Sequence, residues 1–354
     1  MSRAVLPSTL RAAARPSKPT CLPLPYTTNS IAAASPSFPR YHSTSSQSTQ
    51  GSSVSASEVS HFTQLASSWW DPHGPSRLLH LMNPLRHDFI RSCLATSAPS
   101  PTTSQPEPQE KHTFLDIGCG GGIFASSAAR LPTTKSVTAI DPTPEVIAVA
   151  NQHKRSDPLL SQPNRLTYIN CAIEDLSSHL TNPESHSHPH PQPYPPPPKY
   201  DFITLFEVLE HIDHPSTFLR TCLTHLKPHG WLIGSTISRH PISYLTTKIV
   251  AEAPWPIGVV PAGTHDWNKY INPAELKQFF AKENTAHFER SRGNEDGDDA
   301  SGIKVVEGAQ RLAVGDVYGD IRVEGCVYVP LLGWRFVKGS EEYGNYFFGV
   351  QRLQ

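Results

Sequence analysis

The sequence predicts a doubly wound α/β fold, a mostly parallel sheet of seven strands with helices on both faces. Between residues 113 and 236, apolar segments of strand length alternate with segments of helical periodicity, which is typical of such sheets. The first predicted strand is followed by a glycine turn at residues 118–122 and then by a helix of small residues. Two apolar segments near the C-terminus are expected to close the sheet.

The individual strands are predicted from short apolar segments. Five parallel strands are expected at residues 113–117, 137–140, 166–170, 200–206 and 231–236. Residues 227–230, Lys-Pro-His-Gly, are expected to form the turn before the fifth strand. Residues 323–329 and 346–351 are expected to pair antiparallel and to complete the sheet.

The composition argues against several classes of protein. The formal net charge of the 354-residue chain is −1, which gives no bulk attraction to nucleic acid. Its six cysteines form no C-x-x-C pair, which argues against a zinc cluster or a disulfide framework. The 35 prolines are more than an α/β core accommodates, so many are expected in segments outside it.

Three segments precede the predicted core. Residues 1–57 contain arginine and many serines but no Asp or Glu, the composition of a mitochondrial transit peptide or of a disordered tail. Two N-terminal helices are expected within residues 58–96, the first with aromatic residues from Phe62 to Trp70. Residues 97–112 form a Pro/Ser-rich linker.

The predicted core, residues 113–352, carries three inserts. Two of them, near 181–199 and 290–302, are rich in Pro and His or in charged residues and are expected to be disordered. The third, residues 240–267 after the fifth strand, is an apolar insertion with few charges. It fits a lid, a membrane-contacting segment or both, and its hydrophobicity fits an ordinary core helix equally well.

The glycine turn indicates a nucleoside-like ligand, because glycines allow close approach of the backbone and the helix N-terminus presents free N–H groups. Asp116, Gly118, Gly120 and Gly122 stand at alternate positions, and this carboxylate suits an ammonium group better than a phosphate. The spacing resembles motif I of the S-adenosylmethionine-dependent methyltransferases. A nicotinamide-dependent dehydrogenase, with G-x-G-x-x-G, is the alternative.

Residues at the ends of the other predicted strands support a ligand site there. Asp141 ends the second strand about 20 residues past the glycines, where an acidic residue binds ribose hydroxyls. Residues 171–175 follow the third strand and are placed to border an adenine ring. Phe206 and Glu207 end the fourth strand, and ligands of doubly wound sheets bind beyond these carboxyl ends.

Glu207, Glu210 and His211 are the candidate catalytic residues. Their i, i+3, i+4 spacing places all three on one face if the segment after the fourth strand is helical. Two carboxylates and an imidazole could hold Mg²⁺, which would lower the pKa of a catechol hydroxyl. Alternatively, His211 acts alone as the general base of a methyltransferase that needs no metal.

Seven motifs make the resemblance more specific: S-W-W-D-P (68–72), L-M-N-P-L-R (81–86), L-D-I-G-C-G-G-G (115–122), F-E-V-L-E-H-I (206–212), L-K-P-H-G (226–230), P-A-G-T-H-D-W (261–267) and P-A-E-L (273–276). Their order over residues 62–352 resembles that of the ubiquinone-biosynthesis O-methyltransferases. The glycine turn is common to methyltransferases in general, whereas the W-W-D, N-P-L-R and G-T-H-D blocks distinguish this family.

The resemblance implies contacts to two ligands, S-adenosylmethionine and Mg²⁺. The residues expected to contact S-adenosylmethionine, three of them from the glycine motif, are Arg86, Asp116, Gly118, Gly120, Asp141 and Phe206. The expected Mg²⁺ ligands are Glu207, Glu210 and His211. Bacterial relatives often carry Met at the position of Phe206, so only a backbone or apolar contact is expected of this residue.

The resemblance also implies a membrane setting. The family methylates a hydroxyl of a polyprenylated dihydroxybenzoate and of demethylubiquinol, whose tails stay in the bilayer. The protein is therefore expected on the matrix side of the inner mitochondrial membrane, as a peripheral protein in a multi-enzyme complex of the pathway, without a nucleic acid partner. Residues 240–261 are the candidate membrane contact, and Asp in place of Trp255 and Ile257 is expected to abolish liposome binding.

Two rival functions are compatible with the sequence. A soluble methyltransferase acting on another phenol or on a carboxylate would be fully active on a water-soluble catechol and would have no lipid affinity. A scaffold subunit that keeps only the fold would fail to bind S-adenosylmethionine, although Asp116, the glycines and Asp141 are intact.

Overall fold

The sheet has eight strands, one more than expected. They are β1 His112–Ile117, β2 Thr134–Asp141, β3 Leu166–Asn170, β4 Tyr200–Phe206, β5 Leu226–Ile237, β6 Arg322–Val329, β7 Gly333–Phe336 and β8 Asn345–Gln351. Their order is β3-β2-β1-β4-β5-β8-β6-β7. The pairings among β1 to β5 are parallel, and the pairings of β5 with β8, β8 with β6 and β6 with β7 are antiparallel. The chain reverses its direction of winding between β1 and β4, the point where doubly wound sheets bind their ligands.

The helices cover both faces of this sheet. They are α1 Ala56–Leu65, α2 Arg77–Ser97, α3 Ile123–Arg130, α4 Pro144–Arg155, α5 Leu176–Thr181, α6 Pro215–Thr224, α7 Pro241–Tyr244 and α8 Pro273–Gly293. Successive strand residues point to opposite faces, and Phe114 and Leu115 of β1 accordingly belong to different core clusters. Residues of α2, α3 and α4 pack in the first cluster, and residues of α5, α6 and α8 in the second.

The computed structural model describes residues 53–97, 111–181, 198–253, 260–261, 263–293 and 316–354, which belong to one compact unit, Thr49–Gln354. Most of the expected presequence and linker, and most of the inserts near 181–199 and 290–302, lie outside these ranges. Trp255 and Ile257 also lie outside them. The expectations for these segments therefore stay predictions.

Three differences from the expected elements have local physical causes. The unexpected strand is β7, whose four residues are too few to show a period of two. Residues 227–230 lie within β5, because Tyr200 pairs with Leu226 and Phe202 with Trp231, so these four residues form a bulge. Helix α1 ends at Leu65, and a short 3₁₀ turn follows it before the tryptophans.

The apolar insertion after β5 begins with α7 and continues as a π-helical turn, Leu245–Ala251. His240 caps α7 reciprocally with Ser243, since its ring accepts a hydrogen bond from a first-turn N–H and its own N–H donates to the serine hydroxyl. Within the described ranges, no helix combines the length and the hydrophobicity that crossing a bilayer requires.

Candidate active site

The glycine turn between β1 and α3 is packed against the N-terminal region. Gly118, Gly120 and Gly122 have φ of 68°, 51° and 83°, values that residues with a side chain rarely adopt. A Cβ on Gly120 would lie 2.1 Å from Cζ2 of Trp69. Trp69 therefore packs directly on the backbone of the turn, and only glycine fits at position 120 without displacement of that ring.

Asp141, at the end of β2, connects the glycine turn to the second strand. Its Oδ2 accepts a hydrogen bond from the backbone N–H of Gly120 at 3.0 Å, and its Oδ1 accepts one from the N–H of Thr143 at 2.9 Å. Burial raises the pKa of Asp141 in spite of both bonds. The residue lines a cavity on the side of the glycine turn.

Asp116 lies beneath the turn and outside the wall of that cavity. It is 3% exposed, and its Oδ1 accepts a hydrogen bond from Oγ1 of Thr204 at 2.7 Å. Burial raises the pKa of Asp116 to about 7, although the Thr204 bond and the charge of Arg86 oppose the rise. The carboxyl group is therefore held at the end of β1 by its bond to β4 and does not face the cavity.

Replacing Asp116 with asparagine is expected to stabilise the ligand-free protein at alkaline pH. In the unfolded chain Asp116 ionises near pH 4, but in the folded protein near pH 7, so the folded state loses stability as pH rises between these values. The variant should melt on the order of 2–4 °C higher than the wild type at pH 8 and at nearly the same temperature at pH 4. A difference of equal size at both pH values would contradict this account.

Arg86 is a second buried charge beneath the site. It is 4% exposed, and its guanidinium lies 4.9 Å from the centre of the Phe206 ring. Burial lowers the pKa of Arg86, while the nearby carboxylates of Glu207 and Asp116 oppose that change. Among the described residues, its Nε has no hydrogen-bond partner, so this donor is available to a ligand or a water molecule.

A cavity of about 720 Å³ extends along the carboxyl ends of the parallel strands, a volume typical of small-molecule sites. Gly118, Gly120, Asp141 and Phe206 line it, together with apolar residues such as Ile173 after β3. Four of the six residues expected to contact S-adenosylmethionine therefore stand in one wall, whereas the buried aspartate and arginine lie behind it.

Glu207 and Glu210 line the same cavity, but the expectation of a shared helix face is wrong. Glu207 has a φ of 56°, and its N–H still donates to the carbonyl of Ser235 in β5, so the chain follows the sheet before it turns. Only one 3₁₀ turn, Leu209–His211, follows. The hydroxyls of Ser235 and Thr236 donate to Glu207 at 2.6 Å and to Glu210 at 2.8 Å.

His211 completes this group and is fixed from the N-terminal side. Its Nδ1 donates to Oε2 of Glu58 in α1 at 2.9 Å, and the ring of Phe62 meets it edge-on with centres 5.2 Å apart. Burial lowers the pKa of His211, but the bond to Glu58 and the charges of Glu210 and Glu207 outweigh it, so the pKa is raised overall. Among the described residues, no hydrogen bond engages the other ring nitrogen, Nε2.

The carboxylates suit a hard cation by their chemistry. Burial, followed by repulsion from Glu207, raises the pKa of Glu210 to about 7, and a divalent cation between the two would relieve that repulsion. Their arrangement, however, is not that of a completed metal site. In the part of the chain that the structure describes, no group of three His, Cys, Asp or Glu side chains is placed to bind a metal ion.

A half-buried glutamate, Glu252, connects the apolar insertion to the chain beside the cavity. Glu252 accepts hydrogen bonds from Nζ of Lys248 at 3.0 Å and from the N–H groups of Gly263 at 2.7 Å and His265 at 2.8 Å. These bonds join the π-helical turn to the chain that follows residues 254–259. His265 itself lines the cavity, so the insertion contributes to its wall.

Sequence reasoning missed three residues that organise the carboxylates and the histidine. Ser235 and Thr236 occupy the end of the predicted fifth strand and carried no signal beyond their position at a carboxyl end. Glu58 begins the first predicted helix, more than 150 residues before its partner His211. No local pattern connects residues so distant in sequence.

Comparison with known proteins supports the class of protein that the fold and cavity define. A family model described as "Methyltransferase domain" matches residues 88–286. The ubiquinone biosynthesis O-methyltransferase of Candida albicans, a mitochondrial protein, is 35% identical over 85% of this chain and 86% of its own length. The corresponding proteins of Schizosaccharomyces pombe and Saccharomyces cerevisiae are 40% and 31% identical, over 66% and 85% of this chain and 73% and 88% of their own.

The chain is thus an S-adenosylmethionine-dependent methyltransferase with a doubly wound sheet. More particularly, it belongs to the family of ubiquinone biosynthesis O-methyltransferases, and it is a mitochondrial enzyme of that pathway. The donor set beyond the strand ends fits S-adenosylmethionine, because the glycine turn offers close backbone approach and Asp141 offers a carboxylate beside an apolar wall.

Proposed function

We propose that the enzyme methylates a phenolic hydroxyl of two polyprenylated acceptors, a dihydroxybenzoate and a demethylubiquinol. The observation that carries this proposal is the composition of one cavity. It joins the glycine turn, the protonatable side chains of Glu207, Glu210 and His211, and an apolar wall that includes Val250 and Val327. Polar groups near the methyl donor and an apolar path away from them match a phenol with a hydrocarbon tail.

The proposed donor site comprises six residues: Arg86, Asp116, Gly118, Gly120, Asp141 and Phe206. When bound, S-adenosylmethionine supplies an electrophilic methyl group. Gly118 and Gly120 allow its close approach, and Asp141 is placed for ribose hydroxyls at the end of β2. We propose that Arg86 and Asp116 act from beneath, through their buried charged groups and through the Nε of the arginine, which has no hydrogen-bond partner in the described part of the chain.

The acceptor needs a base, because a phenol with a pKa of about 10 is mostly protonated at neutral pH. We propose that Nε2 of His211 takes this proton while Glu58 holds Nδ1 and stabilises the imidazolium that forms. The phenolate oxygen then forms a bond to the methyl carbon of S-adenosylmethionine while the bond between that carbon and the sulfur breaks. Glu207 and Glu210 border the same space and favour the positive charge on the ring.

As the alternative to this role of His211 as a base, we propose that Mg²⁺ binds at Glu207, Glu210 and His211. In that state the glutamates would exchange their hydrogen bonds to Ser235 and Thr236 for the cation, and the repulsion that raises the pKa of Glu210 would be relieved. Bound there, Mg²⁺ would lower the pKa of an adjacent catechol oxygen. The carboxylates are the stronger candidates of the three ligands, since Mg²⁺ prefers oxygen.

We place the enzyme on the matrix side of the inner mitochondrial membrane as a peripheral protein, together with other enzymes that act on tailed intermediates. The described part of the apolar insertion supports this placement. Leu245 and Ile249 of the π-helical turn are 50% and 54% exposed, and Ile242 and Val250 of the same segment line the cavity. Ile242 and Val250 are themselves 49% and 47% exposed. The segment thus presents a set of exposed apolar side chains at the wall of the cavity.

Replacing Leu245 and Ile249 with aspartate is expected to impair methylation of a polyprenyl dihydroxybenzoate held in vesicles. Loss of apolar contact with the bilayer should lower this rate about tenfold or more, with little change for a short-tailed acceptor in solution. Leu131→Asp is the matched control, because Leu131 is 38% exposed but follows α3 at the opposite edge of the sheet. Equal losses in both variants would contradict the membrane contact.

The same assay separates the proposal from a soluble methyltransferase. For the wild type, we expect a higher kcat/KM with a polyprenyl dihydroxybenzoate than with the corresponding catechol that lacks the tail, because the apolar wall of the cavity contacts the tail. Equal kcat/KM values for the two acceptors would favour the soluble enzyme.

A further inference from the structure

The loop between β6 and β7 places a leucine where glycine is normally required. The N–H of Leu332 donates to the carbonyl of Val329 at 3.0 Å, which closes a turn with Pro330 and Leu331 at its centre. Leu331 has a φ of 69°. Proline in the first central position and a positive φ in the second define a turn that favours glycine there.

The two leucines of this loop are also strongly exposed. Leu331 is fully exposed and Leu332 is 62% exposed. Glycine at position 331 would remove both the backbone strain and the exposed apolar surface. Leu331 therefore has two unfavourable features, a strained φ and a solvent-exposed apolar side chain. Strain and exposure of this kind point to a function for the side chain rather than to packing.

The loop stands at the mouth of the cavity. Val327 and Pro330, on the same hairpin, line the cavity, as do Ile242 and Val250 of the apolar insertion. Between them, Tyr343 packs edge-on against His240 with ring centres 4.8 Å apart. The hairpin tip, the β7–β8 connection and the insertion therefore form one rim around the cavity.

Basic side chains accompany the exposed leucines. Arg335 in β7 and Lys338 just after it are both exposed, and both lie closer to the leucines in sequence than the exposed Glu342 of the β7–β8 connection. Exposed leucine beside Arg and Lys is the pattern of segments that lie on anionic membranes, with the apolar residues inserted and the charges at the headgroups.

We infer that the hairpin tip, Leu331 and Leu332, is a second membrane anchor that inserts into an anionic phospholipid surface. Together with the apolar insertion, it turns the mouth of the cavity towards the bilayer, so that an acceptor's tail leaves between the two anchors. The inference rests on the proposed membrane-held acceptor and adds to it a site, an orientation and a lipid charge.

The test uses the full chain with Leu331→Gly and Leu332→Ser. Because glycine relieves the strained φ, the melting temperature should stay the same or rise, so loss of folding cannot explain the result. Affinity for phosphatidylcholine vesicles that contain phosphatidylglycerol should fall about tenfold or more. Activity on a short-tailed acceptor in solution should be unchanged, because neither leucine lines the cavity.

His229→Gly is the matched control. His229 is exposed, has a φ of 61° and lies in the bulge at the amino end of β5, whereas the cavity borders the carboxyl end of that strand. Its replacement therefore also relieves strain but should leave vesicle binding intact. Unchanged binding of the leucine variant, with binding lost in the Leu245/Ile249 variant, would overturn the second anchor alone. Absence of vesicle binding by the wild type would overturn the proposed membrane contact and the anchor with it.

Discussion

Replacing Gly120 with alanine is expected to weaken the binding of S-adenosylmethionine strongly. The new Cβ would lie 2.1 Å from Cζ2 of Trp69, at a backbone φ of 51°. Relief of the clash requires movement of the tryptophan ring or of the turn, and either movement also disturbs the bond from the Gly120 N–H to Asp141. With strain and repacking together, the dissociation constant should rise about 100-fold or more, as measured by calorimetric titration.

Gly339→Ala provides the control for backbone strain alone. Gly339 has a φ of 87°, and a Cβ there would meet no atom within 4 Å. It lies after β7 and outside the wall of the cavity. This variant should lose some stability but keep its affinity for S-adenosylmethionine. Wild-type affinity in the Gly120→Ala variant would show that the ligand does not use the turn.

Replacing His211 with glutamine is expected to lower kcat for methyl transfer by roughly 10²–10⁴-fold, the usual contribution of a positioned general base. Glutamine retains a polar group near Glu58 but cannot take the acceptor's proton at neutral pH. Binding of S-adenosylmethionine should be unaffected, because His211 is not among the residues proposed to hold it. Steady-state rates and cofactor titration on the same preparation measure both quantities.

The matched control is His214→Gln, an exposed histidine at the start of α6 whose side chain makes no capping bond. It should leave kcat unchanged. If His211→Gln also retained full kcat, the histidine would be neither base nor metal ligand. A loss of kcat that excess Mg²⁺ partly restores would favour the metal role over the role of base alone.

The glycine turn and the parallel strands could be predicted because each is encoded locally. β3 and β4 coincide with the predicted segments, since a short apolar run bounded by polar residues leaves little freedom in its limits. β7 could not be predicted, because Gly333–Phe336 becomes a strand only through pairing with β6. The length of β5 likewise depends on its pairing with β4 across a bulge.

The sequence predicted which residues form the candidate site better than it predicted how they are arranged. Spacing alone suggested that Glu207 and Glu210 share one face of a helix. In the structure the N–H of Glu207 remains bonded to β5, and the backbone of Glu207 adopts a left-handed conformation. The bond between His211 and Glu58 connects the core to a helix that precedes it by more than 150 residues. Such contacts depend on tertiary packing, which no periodicity in the sequence reports.

The most direct test of the account is transfer of labelled methyl from S-adenosylmethionine to a short-chain polyprenyl dihydroxybenzoate by the full chain, with Mg²⁺ or with chelator. We predict label on a phenolic oxygen, loss of transfer with chelator and its return with Mg²⁺. Transfer that is indifferent to chelator would contradict the metal role of Glu207, Glu210 and His211. Bound S-adenosylmethionine without any transfer would contradict the proposed acceptor.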